Sequence, residues 1–229
     1  RLHVHTFDFP YKQYFGDLTG LDEVQRAPYL KTIKELREIS QTFTQEPGDS
    51  SYGLSLSSSK GTLFQAGHVD TAVCDVTLQA SYVGHGGITR GGTVGSGSVK
   101  VFAHSAKLDG TMEASSAVEA HITGPLTMNL LLESPLTMAF ATSLDLSGDL
   151  RTTLVARISG AVRFLDDLKA QAISVKSHSL TMMSSTGSAL DPQQIGSLVV
   201  YASSFAINTS AIIGQATVNA SQSSFSAPT

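Results

Sequence analysis

The sequence predicts a mainly β protein whose body consists of repeated units, arranged as a β-solenoid or a β-sandwich. Three observations support this prediction. After residue 50, apolar residues recur at every second position in several segments, which is the period of a half-buried strand. Clusters of glycine and serine separate these segments. A short pattern recurs between residues 108 and 162, and such internal repeats are typical of stacked architectures.

Three segments are predicted, and the first covers residues 1–49. This attachment segment combines an aromatic-rich stretch at 7–15 with a helix at 27–43. Pro28 suits the first turn of that helix, and apolar residues follow at three- or four-residue steps. They are Leu30, Ile33, Leu36, Ile39 and Phe43. The turn sequence EPGD at 46–49 ends the segment.

The second segment, 50–190, is the repetitive β-rich body. Its clearest alternation places one set of residues on a buried face, namely Cys74, Val76, Leu78, Ala80 and Tyr82. Similar sets are Val99, Val101 and Ala103, and then Leu150, Thr152, Leu154, Ala156 and Ile158. The only other helix candidate in this segment is the short stretch 164–172. We therefore expect strands throughout the body.

The internal repeat has the form aliphatic, any residue, Gly or Ser, any residue, aliphatic. It occurs at Leu108–Met112, Ile122–Leu126, Leu132–Leu136, Leu146–Leu150 and Ile158–Val162, and the intervals between successive starting positions are unequal. The tripeptide LTM also recurs, at 126–128, 136–138 and 180–182. Each unit places a turn between two apolar residues. A single unit cannot bury its own apolar face, so neighbouring units or neighbouring chains must cover it.

The third segment, 191–229, has almost no charge. In the whole chain only 15% of residues are charged, and none of 192–229 is Asp, Glu, Lys or Arg. A neutral surface of this kind favours association. Apolar residues recur periodically within it, as in SLVVY at 197–201, which argues against simple disorder. We therefore expect this segment to pack against other copies of the chain.

Composition excludes several classes of protein. The net charge of −4 and a pI near 5.9 argue against a nucleic-acid partner, which would need clustered Lys and Arg. No apolar run approaches the length of a membrane-spanning helix, so no membrane span is predicted. One cysteine, Cys74, excludes an intramolecular disulfide framework, and we expect it to be a buried thiol. The sequence begins with Arg1, which suggests a processed start or a piece of a longer reading frame.

The repeats between about 108 and 190 resemble the repeat regions of tailed-bacteriophage virion proteins, especially fibre, spike and baseplate-type components. That resemblance implies a structural subunit of the extracellular particle, commonly a trimer. It would dock on other virion proteins through residues 1–49 and could contact a host-surface glycan. No site residue is carried over from the family, and we predict no catalytic, cofactor or metal site and no enzymatic activity.

A catalytic alternative starts from two histidines near the beginning of the chain. His3 and His5 form an HxH pair that resembles the strand motif of metal-dependent hydrolases, because alternate strand residues face the same way. His68 and Asp70 are the only further pair with suggestive spacing, and the βα alternation of such barrels is missing. Two histidines in an edge strand are the stronger interpretation.

The remaining titratable residues give weaker hypotheses. His85, His104, His121 and His178 are scattered, and only His121 is expected to share a strand face with two carboxylates, Glu113 and Glu119. The candidates for a sugar-cleaving carboxyl pair are Asp145, Asp149, Asp166 and Asp167. The glycine-rich stretch 91–97 lacks the ending of a phosphate-binding loop, and we expect its glycines to permit tight turns or a close approach of chains.

Two alternative functions remain open. One is a carbohydrate-binding or polysaccharide-cleaving tail spike, and the other is a secreted bacterial surface adhesin. The carbohydrate alternative requires an exposed row of aromatic residues. The candidates for that row are Phe102, Phe140, Phe164, Tyr201, Phe205 and Phe225.

Overall fold

The computed structural model describes residues 2–6, 22, 41–45, 53–58, 61–165, 167–184 and 192–226. Within these residues it contains sixteen β-strands, all joined in one hydrogen-bonded sheet. They are β1 (Leu2–Thr6), β2 (Gln41–Gln45), β3 (Leu54–Ser57), β4 (Thr62–Gln65), β5 (His68–Thr71), β6 (Val76–His85), β7 (Ile88–Gly91), β8 (Val99–Ala114), β9 (Ala117–Ile122), β10 (Pro125–Ala141), β11 (Ser143–Ile158), β12 (Ala161–Phe164), β13 (Lys169–Lys176), β14 (Ser179–Met183), β15 (Gln193–Asn208) and β16 (Ala211–Phe225).

The chain winds as a parallel β-solenoid, in which we call each full turn of the chain a coil. Leu126 pairs with Leu144, Leu144 with Val162 and Val162 with Leu180, so the sequence advances by the same interval at each step along this row. Among the described strands only β1 and β2 pair antiparallel. The prediction of a mainly β, repetitive body is confirmed, and of the two architectures left open the structure has the solenoid.

The strand pairs form three ladders, which we call faces A, B and C. Face A contains segments 54–57, 76–80, 99–103, 118–122, 137–141, 154–158, 173–176, 198–202 and 216–220. Face B contains 62–65, 82–85, 105–108, 126–128, 144–146, 162–164, 180–182, 205–207 and 223–225. Face C contains 69–71, 89–91, 112–114, 131–133, 149–151, 169–170, 194–195 and 212–213.

The core lies inside the coils and consists of stacked apolar rows. Successive strand residues point to opposite sides, so alternate residues of each face point inward. The row Leu126, Leu144, Val162 and Leu180 is almost completely buried, with each residue at most 1% exposed. Neighbouring strands lie about 4.8 Å apart, so each side chain contacts its counterpart in the next coil. Burial in one coil therefore depends on the coil above and the coil below.

The internal repeats mark the corners between faces. Leu108–Met112 and Leu146–Leu150 span the corner from face B to face C, where Gly110 has φ of 84° and Gly148 has φ of 98°. Ile122–Leu126 and Ile158–Val162 span the corner from face A to face B. Leu132–Leu136 spans the corner from face C to face A, at the register shift in β10.

The uneven spacing of the repeats now has a physical reason. The two repeats at the B–C corner begin at Leu108 and Leu146, and the two at the A–B corner begin at Ile122 and Ile158. Each pair is separated by two coils. The intervals between successive repeats are unequal because the chain meets different corners in turn. The structural repeat is one coil, and the five-residue sequence pattern marks the bends between faces.

Most of the predicted alternation is confirmed. Cys74 is buried as a free thiol, and the rows beginning at Val76, Val99 and Leu150 point inward as predicted. Tyr82 is the exception, because it is only half-buried and the next buried residue is Val83. The alternation of inward-pointing residues shifts by one position there, because the chain turns from face A to face B.

The glycine-rich stretch 91–97 forms tight turns, as predicted. The backbone N–H groups of Thr93 and Val94 donate to the carbonyls of Thr71 and Ala72, which closes the loop onto the preceding coil. Gly92 has φ of 70°, a conformation that glycine adopts without strain. The segment returns directly into β8.

The helix prediction at 27–43 is wrong at its C-terminal end. Residues 41–43 belong to strand β2, which pairs in parallel with β5, and residues 27–40 lie outside the described residues. The short candidate at 164–172 is also wrong as a helix, since 169–172 begin β13. β15 and β16 continue the same stack, and the division into segments 1–49, 50–190 and 191–229 stays a prediction.

We predict that Gly148→Ala destabilises the solenoid by about 1–3 kcal/mol, because an L-residue at this positive φ is strained. A Cβ at this position would lie 2.5 Å from the carbonyl oxygen of Leu130 in the preceding coil. Gly86→Ala is the matched control, because a Cβ there meets nothing within 4 Å. Equal urea midpoints for the two variants would contradict the role assigned to this corner.

Candidate functional site

Three rings form a stacked row on the outside of face A. Phe102 pairs in register with His121, and His121 pairs with Phe140, so the three side chains occupy equivalent positions in successive coils. Both pairs of ring centroids are 5.0 Å apart, with interplanar angles of 11° and 12°. Stacked aromatic pairs at this distance add stabilisation beyond the area that they bury.

One carboxylate holds the central ring of this row. Glu119 Oε2 lies 3.0 Å from His121 Nε2, two residues earlier on the same strand. The predicted cluster of His121 with two carboxylates is therefore half right. Glu113 lies on face C instead, where both of its carboxylate oxygens bind Arg90.

A groove of about 590 Å³ runs beside the ring row. The rings of Phe102, His121 and Phe140 line one side. A row of polar residues two positions further along each strand lines the other side, and it comprises Ser81, His104 and Thr123. The small residues Ala80 and Ala103, whose side chains point into the solenoid, leave the space between the two rows open.

The polar side of the groove offers neutral hydrogen-bonding groups. The ring nitrogen His104 Nδ1 lies 3.0 Å from Thr123 Oγ1, a contact that links neighbouring coils. Ser81 on this side is exposed, as is Gln79, which pairs with Phe102 at the end of the ring row; among the described residues their side chains make no hydrogen bond. No lining residue is Asp, Glu, Lys or Arg among those that the structure describes. The groove therefore has one aromatic wall and one uncharged polar wall.

A second cavity, of about 500 Å³, lies on face C beside a row of charges. Asp70 pairs in register with Arg90, Arg90 with Glu113, Glu113 with Glu133, and Glu133 with Arg151. Arg90 donates Nε–H to Glu113 at 2.7 Å, and its pKa is raised chiefly by this hydrogen bond. Arg151 donates to Glu133 at 2.6 Å. Opposite charges thus alternate along most of the row and hold the outer surfaces of successive coils together.

The predicted pair His68 and Asp70 belongs to this charged row. The two side chains lie 3.8 Å apart, and Arg90 Nη1 lies 3.3 Å from His68 Nε2. A guanidinium at this position supplies the positive charge beside Asp70. Among the described residues no group of three His, Cys, Asp or Glu could hold a metal ion. His3 and His5 lie in β1, and their side chains are outside the described part of the structure.

The carboxylates proposed as a sugar-cleaving pair are not brought together. Asp145, on face B, accepts hydrogen bonds from Arg163, and Asp149, on face C, accepts one from Arg151. Asp167 lies in an exposed turn with φ of 61°. Asp166 lies outside the described residues.

The aromatic candidates divide between core, surface and end. Phe164 and Phe205 are buried in the core, whereas Phe102 and Phe140 form the stacked row. Tyr201 continues the same outer row, three coils beyond Phe140, and is 49% exposed. The predicted exposed row of aromatic residues therefore exists in part.

The last coil that the structure describes, which contains β16, has exposed apolar residues in its inner rows. In β16, Val218 stacks on Val200 in an inner row, yet Val218 is 38% exposed whereas Val200 is fully buried. Phe225 stacks over the preceding coil and is 71% exposed. Residues 211–226 contain no charged residue and no proline, which are the usual means of blocking an exposed strand edge.

On face A, β3 is the first strand that the structure describes and offers matching rows at the other end. On face C, β2 and β1 extend the sheet beyond β5. Leu54 and Leu56 pair with Val76 and Leu78, which places them at the start of two inner rows of face A. Both are half-buried, and among the described strands β3 pairs only with β6. The same inner rows reach β16 at Ala216 and Val218. Each end of face A therefore presents an incomplete apolar row and a free strand edge in the described part of the chain.

His85 is a buried titratable group inside the solenoid. Its Nδ1 lies 2.6 Å from the carbonyl oxygen of Asp109, which can only accept, so Nδ1 carries the hydrogen. Nε2 lies 3.0 Å from Thr89 Oγ1 and accepts from that hydroxyl. Burial lowers the pKa of His85 to about 4, because the charged imidazole would lose its hydration there.

No protein-family model, curated protein or solved structure matches this chain. In the part of the chain that the structure describes, no helix is long and apolar enough to cross a membrane.

Sequence reasoning missed the stacked row, although a signal for it is present. Phe102, His121 and Phe140 are equally spaced along the sequence, and the interval is one coil of this part of the solenoid. Searching at that period would have aligned the three rings. The short internal repeat obscured the period because it marks corners rather than coils.

We predict that stability falls between about pH 6.5 and pH 4 because of His85. In this range the unfolded chain binds a proton at His85 and the folded chain does not, so acid favours unfolding by up to about 1.4 kcal/mol per pH unit. His85→Gln should lose less stability than the wild type over this range in urea unfolding. His178→Gln, at an exposed histidine, should follow the wild-type pH dependence. Parallel profiles for the wild type and His85→Gln would contradict this role.

Proposed function

We propose that this protein is a structural subunit of a bacteriophage particle, of the tail-fibre, spike or baseplate type, that assembles with other copies of itself. The observation that carries the proposal is the edge of β16, the last strand that the structure describes, where Val218 and Phe225 lie exposed on an edge without charge. Residues 1–49 dock the subunit on other virion proteins in this proposal. The fibre-like geometry of a solenoid agrees with the resemblance of its repeats to virion proteins.

Coil-on-coil stacking gives the assembly its physical basis. Within the chain, each coil buries its apolar row and pairs its backbone groups on the next coil. A second copy that places Leu54 and Leu56 on Ala216 and Val218 would continue both features across the junction. Such a head-to-tail contact is heterologous, so it extends into an open series unless rotation closes it. A closed trimer is the alternative that the family resemblance implies.

Among the described strands, β16 has an edge that a partner could cover, because it pairs only with β15. An unprotected edge strand presents a row of backbone N–H and C=O groups that can pair with another chain. The described surface elsewhere carries ion pairs, such as Arg163 with Asp145 and Lys100 with Asp75. The contrast between a charged flank and a neutral end favours association at the end.

We predict that Val218→Lys weakens self-association, because it buries a charge in the junction between copies. Asn219→Lys is the matched control, since the neighbouring residue follows Tyr201 on the outer row and carries the same change. Light scattering over a concentration series should show oligomers for the wild type and Asn219→Lys, and mainly monomers for Val218→Lys. A monomeric wild type at micromolar concentration would contradict the proposal.

Variants at the opposite end of the described stack, in β3, test whether copies associate head to tail. Leu56→Lys should break a head-to-tail contact but leave a contact between two β16 edges intact, with Ser57→Lys as control because Ser57 is exposed. Thermal unfolding of each variant shows whether the monomer still folds. A constant mass of three chains would favour the closed trimer, and mass that rises with concentration would favour the open series.

The assignment to a phage particle has its own test. We expect the genes beside this coding sequence to encode portal, tail or baseplate components. Genes for secretion components would instead favour the bacterial surface adhesin.

A further inference from the structure

The groove on face A has the two-sided chemistry of a sugar site. Its ring side, formed by Phe102, His121 and Phe140, is apolar, and its other side presents hydroxyl and imidazole groups. A pyranose ring is apolar over its faces and carries hydroxyl groups around its rim. Aromatic surface with a few placed polar groups is how proteins bind such ligands. We infer that this groove binds a neutral oligosaccharide.

The absence of charge in the lining selects the class of ligand. None of the described residues that line this groove is Asp, Glu, Lys or Arg. Arg157, which pairs with Phe140, lies one coil beyond the lining. An anionic polysaccharide or a phosphate would need a cation at the site, and the charged row with Arg90 lies on another face. The nearest carboxylate on this strand, Glu119, is engaged by His121. Hydroxyl groups of a neutral sugar need only the donors and acceptors that are present.

The available hydrogen-bonding groups support this choice. Among the described residues the side chains of Gln79 and Ser81 have no partner, and both line the groove. His104 uses Nδ1 for Thr123, so its second ring nitrogen is the one left for a ligand. A ligand with several hydroxyl groups satisfies these side chains, whereas an apolar peptide would leave them desolvated.

The repetition of the groove favours a chain over a single ring. Two successive coils each contribute one ring and one polar residue, and strands of neighbouring coils lie about 4.8 Å apart. The pairs are Phe102 with His104 and His121 with Thr123. Successive units of an oligosaccharide lying along the axis would meet equivalent surroundings. At about 590 Å³ the groove has the size of an ordinary small-ligand site.

The experiment measures binding of defined glycans to the intact chain. The probes are cellohexaose, maltohexaose and N-acetylchitohexaose, with oligogalacturonate as the acidic comparison, and titration calorimetry is the readout. We expect at least one neutral hexasaccharide to bind and oligogalacturonate not to bind. Failure of all three neutral probes, or binding of the acidic probe alone, would overturn the inference.

Variants locate the site. Phe102→Ala and Phe140→Ala should each weaken binding about tenfold, the effect expected for loss of one aromatic contact. Ser81→Arg places a long side chain in the groove at an exposed position and should abolish binding without disturbing the ring row. Tyr201→Ala is the matched control, because it removes an exposed aromatic residue of the same outer row outside the groove.

Further measurements distinguish a loss of glycan binding from a loss of folding or of self-association. Far-ultraviolet circular dichroism and thermal unfolding should show that Ser81→Arg folds as the wild type does. Equal losses in Tyr201→Ala and Phe102→Ala, or full binding by Ser81→Arg, would place the glycan elsewhere and overturn the inference. Val218→Lys should bind the same hexasaccharide unchanged, because the groove does not depend on self-assembly. Loss of binding in Val218→Lys would contradict that independence.

Discussion

The stacking of one coil on the next is the constraint on which the rest of this structure depends. An isolated coil has an apolar interior only one residue thick, so it buries nothing by itself. The row from Leu126 to Leu180 is closed because every member has a counterpart about 4.8 Å above and below. The same rule leaves the face A row that contains Val200 open at Val218, where the described stack ends. The fold follows from this contact, and the self-association that we propose would follow from the same contact.

Stacking also organises the outer surface. Parallel pairing in register places residues one coil apart side by side, so a side chain type repeated at that interval becomes a row. On face A the result is the stacked set of Phe102, His121 and Phe140, and on face C it is the alternation of Asp70, Arg90 and Glu113. The two rows stabilise neighbouring coils by different forces, and each borders a cavity of different chemistry.

Local sequence patterns were sufficient to predict the strands. They were insufficient to predict which residues contact each other in the core. The alternation at 150–158 predicted an inward row because the two-residue period is a property of the strand itself. The tripeptide LTM shows the limit of such reasoning. Leu126 and Met128 point into the core, whereas in the same tripeptide at 136–138 the buried residue is Thr137, which hydrogen-bonds Ser134 and Thr152. The preceding corner decides which residues of the next strand point inward. The tripeptide itself carries no information about that corner.

The sequence by itself determined that the body is β-rich, repetitive, poor in charge and neutral beyond residue 191, because these are properties of composition and short-range period. Only the tertiary structure decided that the corners lead into three faces, that residues one coil apart form the ring row, and that Glu113 faces Arg90 rather than His121. These outcomes depend on the length of each coil. Coil length is fixed by bends such as those at Gly110 and Gly148, whose conformation comes from packing on the neighbouring coil.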